Sequence, residues 1–294
     1  MTKTIQQIIY EKFIKECTIK TRLRVESCQK EATVLITTGA KLDEFYYAEK
    51  NRSFLYNLYI NLGIDLPFIK EQNCRCNSGS RFCDKQGLHT GTQCPLGNHR
   101  QTRHNGVQKV WADLFRKSGY TCMLESMNLL RSVNEESQAR TDITVNNWEN
   151  AIPLELDITI TDPRNLSDVL THIPSPQEAA KRAEARKINK YNENINRAGG
   201  LFKPLVMETF GRFGDIARNI FKKLIDIIAI NSGKEKSWLS TYWKSKLVVN
   251  MRKLYIQGMR NHFSSLNIQD SELSLQSQEE IENINYQNIF LPFR

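Results

Sequence analysis

Residues 153–163 read PLELDITITDP and alternate apolar with polar side chains along almost the whole stretch. Side chains on a β-strand point alternately to its two faces, so this alternation predicts a half-buried strand. Its buried face would carry the aliphatic residues, and its polar face would carry Glu155, Asp157, Thr159 and Thr161. Two carboxylates on one face of a strand leave a choice between a metal site and a solvated surface.

Further elements are predicted on both sides of this strand. Apolar residues at helical spacing predict a helix at 104–119, which Gly119 would end. Strands are predicted at 120–126, 140–146 and 201–210, and helices at 175–200, 215–230 and 238–263, the last interval holding one or two basic helices. Ser175 and Pro176 are typical of a helix cap and first turn. This order of elements predicts an α/β fold in which helices layer onto a sheet.

The composition favours a polyanionic partner. The 294 residues include 41 Lys and Arg against 32 Asp and Glu, which gives a net charge of +9. Such a balance suits nucleic acid, and an acidic membrane surface would satisfy it equally well. No apolar run approaches the roughly 18 residues of a spanning helix, and the N-terminus does not resemble a signal peptide. We therefore expect a soluble, intracellular protein that does not span a membrane.

Residues 71–103 lose the apolar periodicity and are rich in Gly, Asn, Ser, Cys and His. Such a segment cannot build a core, and crowded cysteines in a reducing compartment favour a metal over disulfides. The preferred ligands of a structural zinc ion are Cys74, Cys76, His89 and Cys94, and the alternates are Cys83 and His99. The CxC spacing is looser than a CxxC pair, so the exact ligand set stays open.

The polar strand face has a candidate partner on the preceding strand. Asp142 would lie on the strand at 140–146, and neighbouring strands would bring it to Asp157. Two converging carboxylates provide the hard oxygen ligands that Mg²⁺ or Mn²⁺ prefers. On the next helix, Lys187 and Lys190 lie three residues apart and therefore on one face. Either ammonium could orient a water molecule beside the metal and stabilise charge on a phosphate.

Eight short motifs resemble, in order, the PD-(D/E)XK nuclease-like domain found downstream of reverse transcriptases in eukaryotic retroelement-type proteins. The resemblance covers residues 33–262 and rests on motifs that are individually weak. They are the helical stretch at 41–67, CRC at 74–76 with DKQGLHTGTQC at 84–94, RHN at 103–105, a glutamate at 125, RTDITV at 140–145, LDITITDP at 156–163, ARKINKY at 185–191 and KPLVMETFGRFG at 203–214. This resemblance implies a mixed sheet flanked by helices, with an upstream zinc module.

The resemblance also implies roles for single residues. Asp142 and Asp157 would be the two metal-binding acids, and the catalytic lysine would lie on the helix, at Lys187 or Lys190. Glu125 is an implied catalytic helper, and Glu208 is a weaker candidate of the same kind. This chain departs from the family pattern in two places, because Thr141 replaces a small residue and Cys83 is an extra cysteine.

These patterns predict five segments: an N-terminal helical segment at 1–70, a zinc module at 71–103, a nuclease-like core at 104–232, basic helices at 233–265 and a polar acidic tail at 266–294. The expected function is a metal-dependent endonuclease in the nucleus, with DNA favoured over RNA. One alternative is a catalytically idle nucleic-acid-binding module. Another is a subunit of a larger complex that contacts protein partners through the N-terminal helices or the tail.

Overall fold

The computed structural model describes residues 11–13, 15–29, 31, 56–57, 60–63, 94, 98–125, 140–164 and 177–265. Five named helices are present in this part of the chain: α1 Ile19–Ser27, α2 His99–Lys117, α3 Glu178–Arg197, α4 Asp215–Ser232 and α5 Lys236–Ser265. Four strands accompany them: β1 Cys122–Leu124, β2 Ile143–Val145, β3 Leu154–Thr161 and β4 Leu201–Glu208. A short 3₁₀ turn, Glu149–Ala151, links β2 to β3. No helix in the described ranges has the length and apolarity needed to cross a membrane.

The strands form one mixed sheet in the order β1, β2, β3, β4. The first three strands pair antiparallel, and β4 runs parallel to β3, with Leu154 opposite Leu201 and Thr161 opposite Glu208. A parallel pair needs a crossover connection, and α3 provides it. The predicted α/β class and the predicted order of elements are therefore confirmed.

Helices cover both faces of the sheet. Trp111 and Phe115 of α2 and Phe221 of α4 belong to the large core on one face, with apolar side chains of β2, β3, β4 and α5. On the other face, Ala180 and Ala183 of α3 pack against Val206 of β4. The core thus includes the first half of α5, so the predicted basic helix at 233–265 is part of the packed fold.

Strand β3 is more buried than the alternation of its residues predicted. Its first five residues are all buried. Among them, Glu155 is only 1% exposed and Asp157 only 8% exposed. The half-buried prediction was wrong because α3 lies over the face that carries the polar residues. An alternating pattern identifies two chemically different faces, but it does not report whether a helix covers the polar one.

Two helix starts differ from the prediction. Helix α2 begins at His99, so the predicted boundary between residues 103 and 104 falls inside it. Helix α3 begins at Glu178 after Gln177, which has a left-handed backbone and no side-chain cap. The predicted cap at Ser175 and Pro176 lies outside the described residues, as do most of the predicted helices between 41 and 67 and the tail beyond 265.

Helices α2 and α5 approach each other closely at two glycines. A Cβ atom on Gly258 would lie 2.8 Å from Cβ of His99, and one on Gly106 would lie 2.2 Å from Cδ1 of Leu254. The side-chain amide of Asn250 adds a hydrogen bond of 3.0 Å to the Gly106 carbonyl. Small residues at a crossing let helix backbones come together, and here the crossing fixes the N-terminal half of α2.

A buried ion pair joins the end of β3 to the turn after β4. The Arg164 side chain donates to both carboxylate oxygens of Asp162, at 3.0 and 2.9 Å, and its backbone amide donates to the same group at 2.9 Å. Thr209 donates a further hydrogen bond of 2.9 Å. The Arg164 guanidinium also stacks over Phe210 at 5.0 Å. Asp162 therefore has charged and neutral donors that compensate for its burial.

Candidate active site

The register of β2 and β3 breaks at Asp142. Within the ladder Ile143 faces Leu156, but the Asp142 amide also donates to the Leu156 carbonyl, at 2.9 Å. The Asp142 Oδ2 atom instead accepts the backbone amide of Ile158. Asp142 and Ile143 thus oppose one residue of β3, which is the pattern of a β-bulge. The bulge directs the Asp142 carboxylate to the backbone beside Asp157.

Helix α2 holds the same aspartate from a second direction. His104 Nε2 lies 3.0 Å from Asp142 Oδ2, and Gln108 donates to the Asp142 carbonyl at 2.7 Å. Burial opposes protonation of His104, but the hydrogen bond and charge of Asp142, with smaller contributions from Asn105 and Asp157, raise the pKa of His104.

Asp157 contacts one of the two lysines proposed from the sequence. Lys187 of α3 donates to Asp157 Oδ1 at 2.9 Å, and Thr159 donates to Oδ2 at 3.0 Å. Lys190 is exposed, and its ammonium lies 4.8 Å from the ring centre of Tyr191. The structure therefore pairs Lys187 with Asp157, one residue before the Ile158 amide that Asp142 accepts, whereas the described contact of Lys190 is with Tyr191.

Glu155 lies two residues before Asp157 in β3, on the same face of the strand. Its Oε2 atom accepts hydrogen bonds from Thr141 and from Thr144, the latter at 2.7 Å. Burial raises the pKa of the Glu155 carboxyl, although the two hydroxyl groups act in the opposite direction. Thr141, which departs from the family pattern, thus serves as a partner of this buried carboxyl group.

Glu125 is placed beside the site but contacts it through its backbone. Its amide donates to the Asp142 carbonyl at 3.0 Å, and its own φ of 54° lies in the left-handed region. The Glu125 side chain pairs with Arg140 at 2.9 Å, and both side chains are substantially exposed. The described contacts of Glu125 thus support the position of Asp142 and involve Arg140 rather than Asp157.

Glu208, the weaker helper candidate, is buried at the end of β4. Burial raises its pKa to about 6, and Ser27 and the charge of Arg212 partly offset that effect. It belongs to the junction between the sheet and the N-terminal residues, where Arg212 also donates to the Glu26 carbonyl at 2.9 Å. Its surroundings are those of a structural residue.

Of the predicted zinc ligands, the structure describes Cys94 and the alternate His99. The Cys94 thiol is buried and lies 4.0 Å from Nδ1 of His262, near the end of α5. His99 occupies the first turn of α2 beside Gly258. Cys74, Cys76, Cys83 and His89 lie outside the described residues. Within the described part of the chain, no three His, Cys, Asp or Glu side chains form a metal-binding group.

Sequence reasoning missed two residues of the site, His104 and Gln108. They are four residues apart, on the helix that carries Val107 and Trp111 into the core. Two polar residues at helical spacing beside buried apolar residues were the signal that could have found them. Their shared partner is Asp142, which the sequence alone could not pair with either of them.

Comparison of the chain with protein-family models and with curated proteins gave no match. Asp142 and Asp157 lie at adjacent strands; the imidazole of His104 contacts Asp142 Oδ2, and the ammonium of Lys187 and the hydroxyl of Thr159 contact the two oxygens of Asp157. Such an arrangement can hold a divalent cation and neutralise an anionic substrate.

Proposed function

We propose that this protein is a metal-dependent nuclease that hydrolyses phosphodiester bonds, with DNA favoured over RNA. The observation that carries the proposal is the hydrogen bond between Lys187 of the crossover helix and Asp157, next to the bulge that positions Asp142. The mixed sheet with its order of flanking elements and the eight sequence motifs support the same function. Residence in the nucleus follows from the proposed DNA substrate.

The site residues fit Mg²⁺ or Mn²⁺. Asp142 and Asp157 would provide hard oxygen ligands, and both side chains keep some exposure, 20% and 12%, through which a cation and a phosphate can enter. When bound, the metal would polarise the phosphate and lower the pKa of a coordinated water. The Ile158 amide and His104 hold Asp142 in place before any cation arrives.

Lys187 would stabilise negative charge on the phosphate during hydrolysis. Its ammonium already faces Asp157 and can hold a water molecule or a phosphate oxygen beside that carboxylate. A fixed positive charge in a partly buried site stabilises the negative charge that develops during phosphodiester hydrolysis. His104 contacts the acid but not the lysine in the described contacts, so its role is to position Asp142.

The direct test is a cleavage assay with purified protein. Single-stranded and double-stranded DNA and RNA are incubated with Mg²⁺, with Mn²⁺ or with EDTA. We expect cleavage that requires the divalent cation, and Asp157→Asn prepared in parallel controls for a contaminating nuclease. Binding without cleavage of any of the four substrates would instead favour a nucleic-acid-binding module, the second candidate, which the net charge of +9 supports.

The two lysines are expected to differ. Lys187→Met should lower the cleavage rate by about a hundredfold or more, because it removes the only ammonium that contacts Asp157 among the described residues. Lys190→Met, a matched control three residues away, should stay close to the parent protein because Lys190 is exposed beside Tyr191. Rates measured under single-turnover conditions compare them. Equal losses in both variants would reject the assignment of Lys187.

We also propose a structural zinc ion held by Cys74, Cys76, His89 and Cys94. The support from the described residues is the burial of Cys94 beside His262, whose ring nitrogen lies 4.0 Å from the sulfur and could be a hydrogen-bonding neighbour of a metal-bound thiolate. A metal at this position would join residue 94 to the end of α5.

Zinc content provides the corresponding prediction. The purified protein should contain about one zinc ion per chain, and Cys94→Ser should lose it and melt at a lower temperature. Cys122→Ser is the matched control, because that thiol is also buried but lies in β1, against the Ala112 carbonyl. Metal analysis that finds no zinc in the parent, or equal zinc in both variants, would contradict the proposal.

A further inference from the structure

Four side chains follow one another at four-residue intervals: Lys234 in the short connection before α5, and Trp238, Tyr242 and Lys246 on α5 itself. The Trp238 and Tyr242 rings stack almost parallel, with centroids 5.4 Å apart and an interplanar angle of 7°. Lys234 lies 5.1 Å from the Trp238 ring centre, and Lys246 lies 5.4 Å from that of Tyr242. Trp238, Tyr242 and Lys246 share a helix face, and Lys234 packs over Trp238 from the connection before the helix. We name these four side chains the lysine–aromatic row.

The row is exposed although it consists largely of aromatic surface. Trp238 is 51% exposed and Tyr242 is 41% exposed, whereas the neighbouring Trp243 is 6% exposed and packs into the core. Helix α5 thus buries the Trp243 ring in the core and exposes the rings of Trp238 and Tyr242 to solvent. Stabilisation of the fold explains Trp243, but it does not explain two large rings that keep about half of their surface in water.

A groove runs beside this row, between α2, α4 and α5. Its cavity volume is about 650 Å³, and its walls include Arg116 and Lys117 of α2 as well as Lys234, Trp238, Tyr242 and Lys246. Four cationic side chains line the groove against one carboxylate, Asp113, which pairs with Arg116 at 3.2 Å. The groove therefore combines stacking surface with an excess of positive charge.

We propose that the lysine–aromatic row and its groove bind a single-stranded stretch of nucleic acid. Exposed aromatic rings stack with bases of any sequence, and lysines beside them pair with the phosphates. A base that stacks on Trp238 takes the place of the Lys234 ammonium, which then pairs with the adjacent phosphate. The inference rests on the proposed function for the choice of nucleic acid as ligand and deepens it by naming a single-stranded segment.

The groove is separate from the candidate active site but lies on a helix that both share. His104 reaches Asp142 near the start of α2, whereas Asp113, Arg116 and Lys117 line the groove near its end. Nine to thirteen helical residues separate them, which corresponds to about 14–20 Å along the helix axis. A strand held in the groove would thus contact the protein several nucleotides away from the bond that is cut.

Fluorescence anisotropy with a labelled oligothymidylate of about 12 nucleotides tests the proposal, in buffer without Mg²⁺ or Mn²⁺ so that binding is measured apart from cleavage. Trp238→Ala with Tyr242→Ala should weaken binding about tenfold or more, because one stacked base is worth roughly that factor. Binding by the parent protein should also quench its tryptophan fluorescence. An abasic oligonucleotide of the same length should bind the parent more weakly than the oligothymidylate.

Phe13→Ala is the matched control, since Phe13 is 45% exposed and lies outside the groove. It should bind as the parent does. Equal affinity of the parent and the double variant, or an equal loss in Phe13→Ala, would overturn the proposal. Light scattering in the same samples separates another occupant: a parent dimer that the double variant turns into monomers, with unchanged oligonucleotide binding, would assign the groove to a second copy of this chain.

The two proposals fail in different ways. If the protein cleaves DNA but the double variant binds and cleaves as the parent does, the groove proposal is wrong and the nuclease proposal stands. If the oligonucleotide binds through the row but no substrate is cleaved with Mg²⁺ or Mn²⁺, the groove stands and the nuclease proposal is wrong.

Discussion

Asp157→Asn is expected to lower the single-turnover rate of DNA cleavage by at least about a thousandfold. The amide would remove a negatively charged metal ligand and the carboxylate that Lys187 contacts at 2.9 Å. Because the Asp157 carboxylate accepts a hydrogen bond from Lys187, this one substitution weakens the cation site and also loosens the hold on the Lys187 ammonium. Asparagine is nearly isosteric with aspartate, so the expected loss of cleavage rate comes from the missing negative charge.

The measurement needs evidence that the variant is folded. Thermal melting of Asp157→Asn should stay within a few degrees of the parent, since the amide is nearly isosteric with the carboxylate and its oxygen can still accept a hydrogen bond from Lys187. Asp226→Asn is the matched control: its exposed carboxylate pairs with Lys236 on the surface, and its rate should equal that of the parent. A variant at Asp157 that keeps a tenth or more of the parent rate would rule out this residue as a catalytic metal ligand.

Much of the fold could be predicted because its signals are local. Alternation over residues 153–163 identified β3, and helical spacing followed by Gly119 identified the end of α2. The basic segment after residue 233 proved to be one helix, Lys236–Ser265. Each of these features depends on side chains within a few positions of one another, which a sequence displays directly.

The burial of Glu155 could not be predicted in the same way. It depends on α3, which lies over the polar strand face, and on the hydroxyl groups of Thr141 and Thr144 that compensate for desolvation. A sequence shows a glutamate and two threonines at strand spacing, but not the helix that covers them.

The candidate site was predicted only as a set of residue types. Periodicity gave Asp142, Asp157 and a pair of lysines, but the choice between Lys187 and Lys190 depends on the rotation of α3 against the sheet. The bulge at Asp142 is a feature of strand pairing, and the contact with His104 spans 38 positions in the chain. Long-range geometry of this kind is decided by packing between segments, so no single segment of the sequence predicts it.

Asp162→Ala is expected to destabilise the fold by about 3–5 kcal/mol, because it leaves a buried guanidinium without its counter-charge. The Asp162 side chain is fully buried, and that of Arg164 is 4% exposed. The charge of Asp162 also acts to raise the pKa of the buried Arg103, although burial keeps that pKa below its ordinary value. The charge of Arg164 acts to lower the pKa of Arg24. Asp162 thus offsets the charge of two buried arginines, Arg164 over Phe210 and Arg103 over Tyr255.

The effect should depend on pH in a defined direction. Burial opposes ionisation of Asp162, but the charge and hydrogen bonds of Arg164, with Thr209, outweigh it and hold the pKa of Asp162 below its ordinary value. A carboxyl whose pKa is lower in the folded state contributes stability above its unfolded pKa and loses it as the pH falls. The difference in unfolding free energy between the parent and Asp162→Ala should therefore be largest near neutral pH and shrink in acid.

Two further variants separate the pair from general damage to the fold. Glu193→Ala removes an exposed partner of Arg197 on α3 and should cost less than about 1 kcal/mol in urea unfolding. Adding Arg164→Met to Asp162→Ala should recover part of the loss, since the unpaired charge is then gone and an apolar side chain of similar length takes its place. If the double variant were less stable than Asp162→Ala by the full cost of a second core substitution, the buried charge would not be the cause.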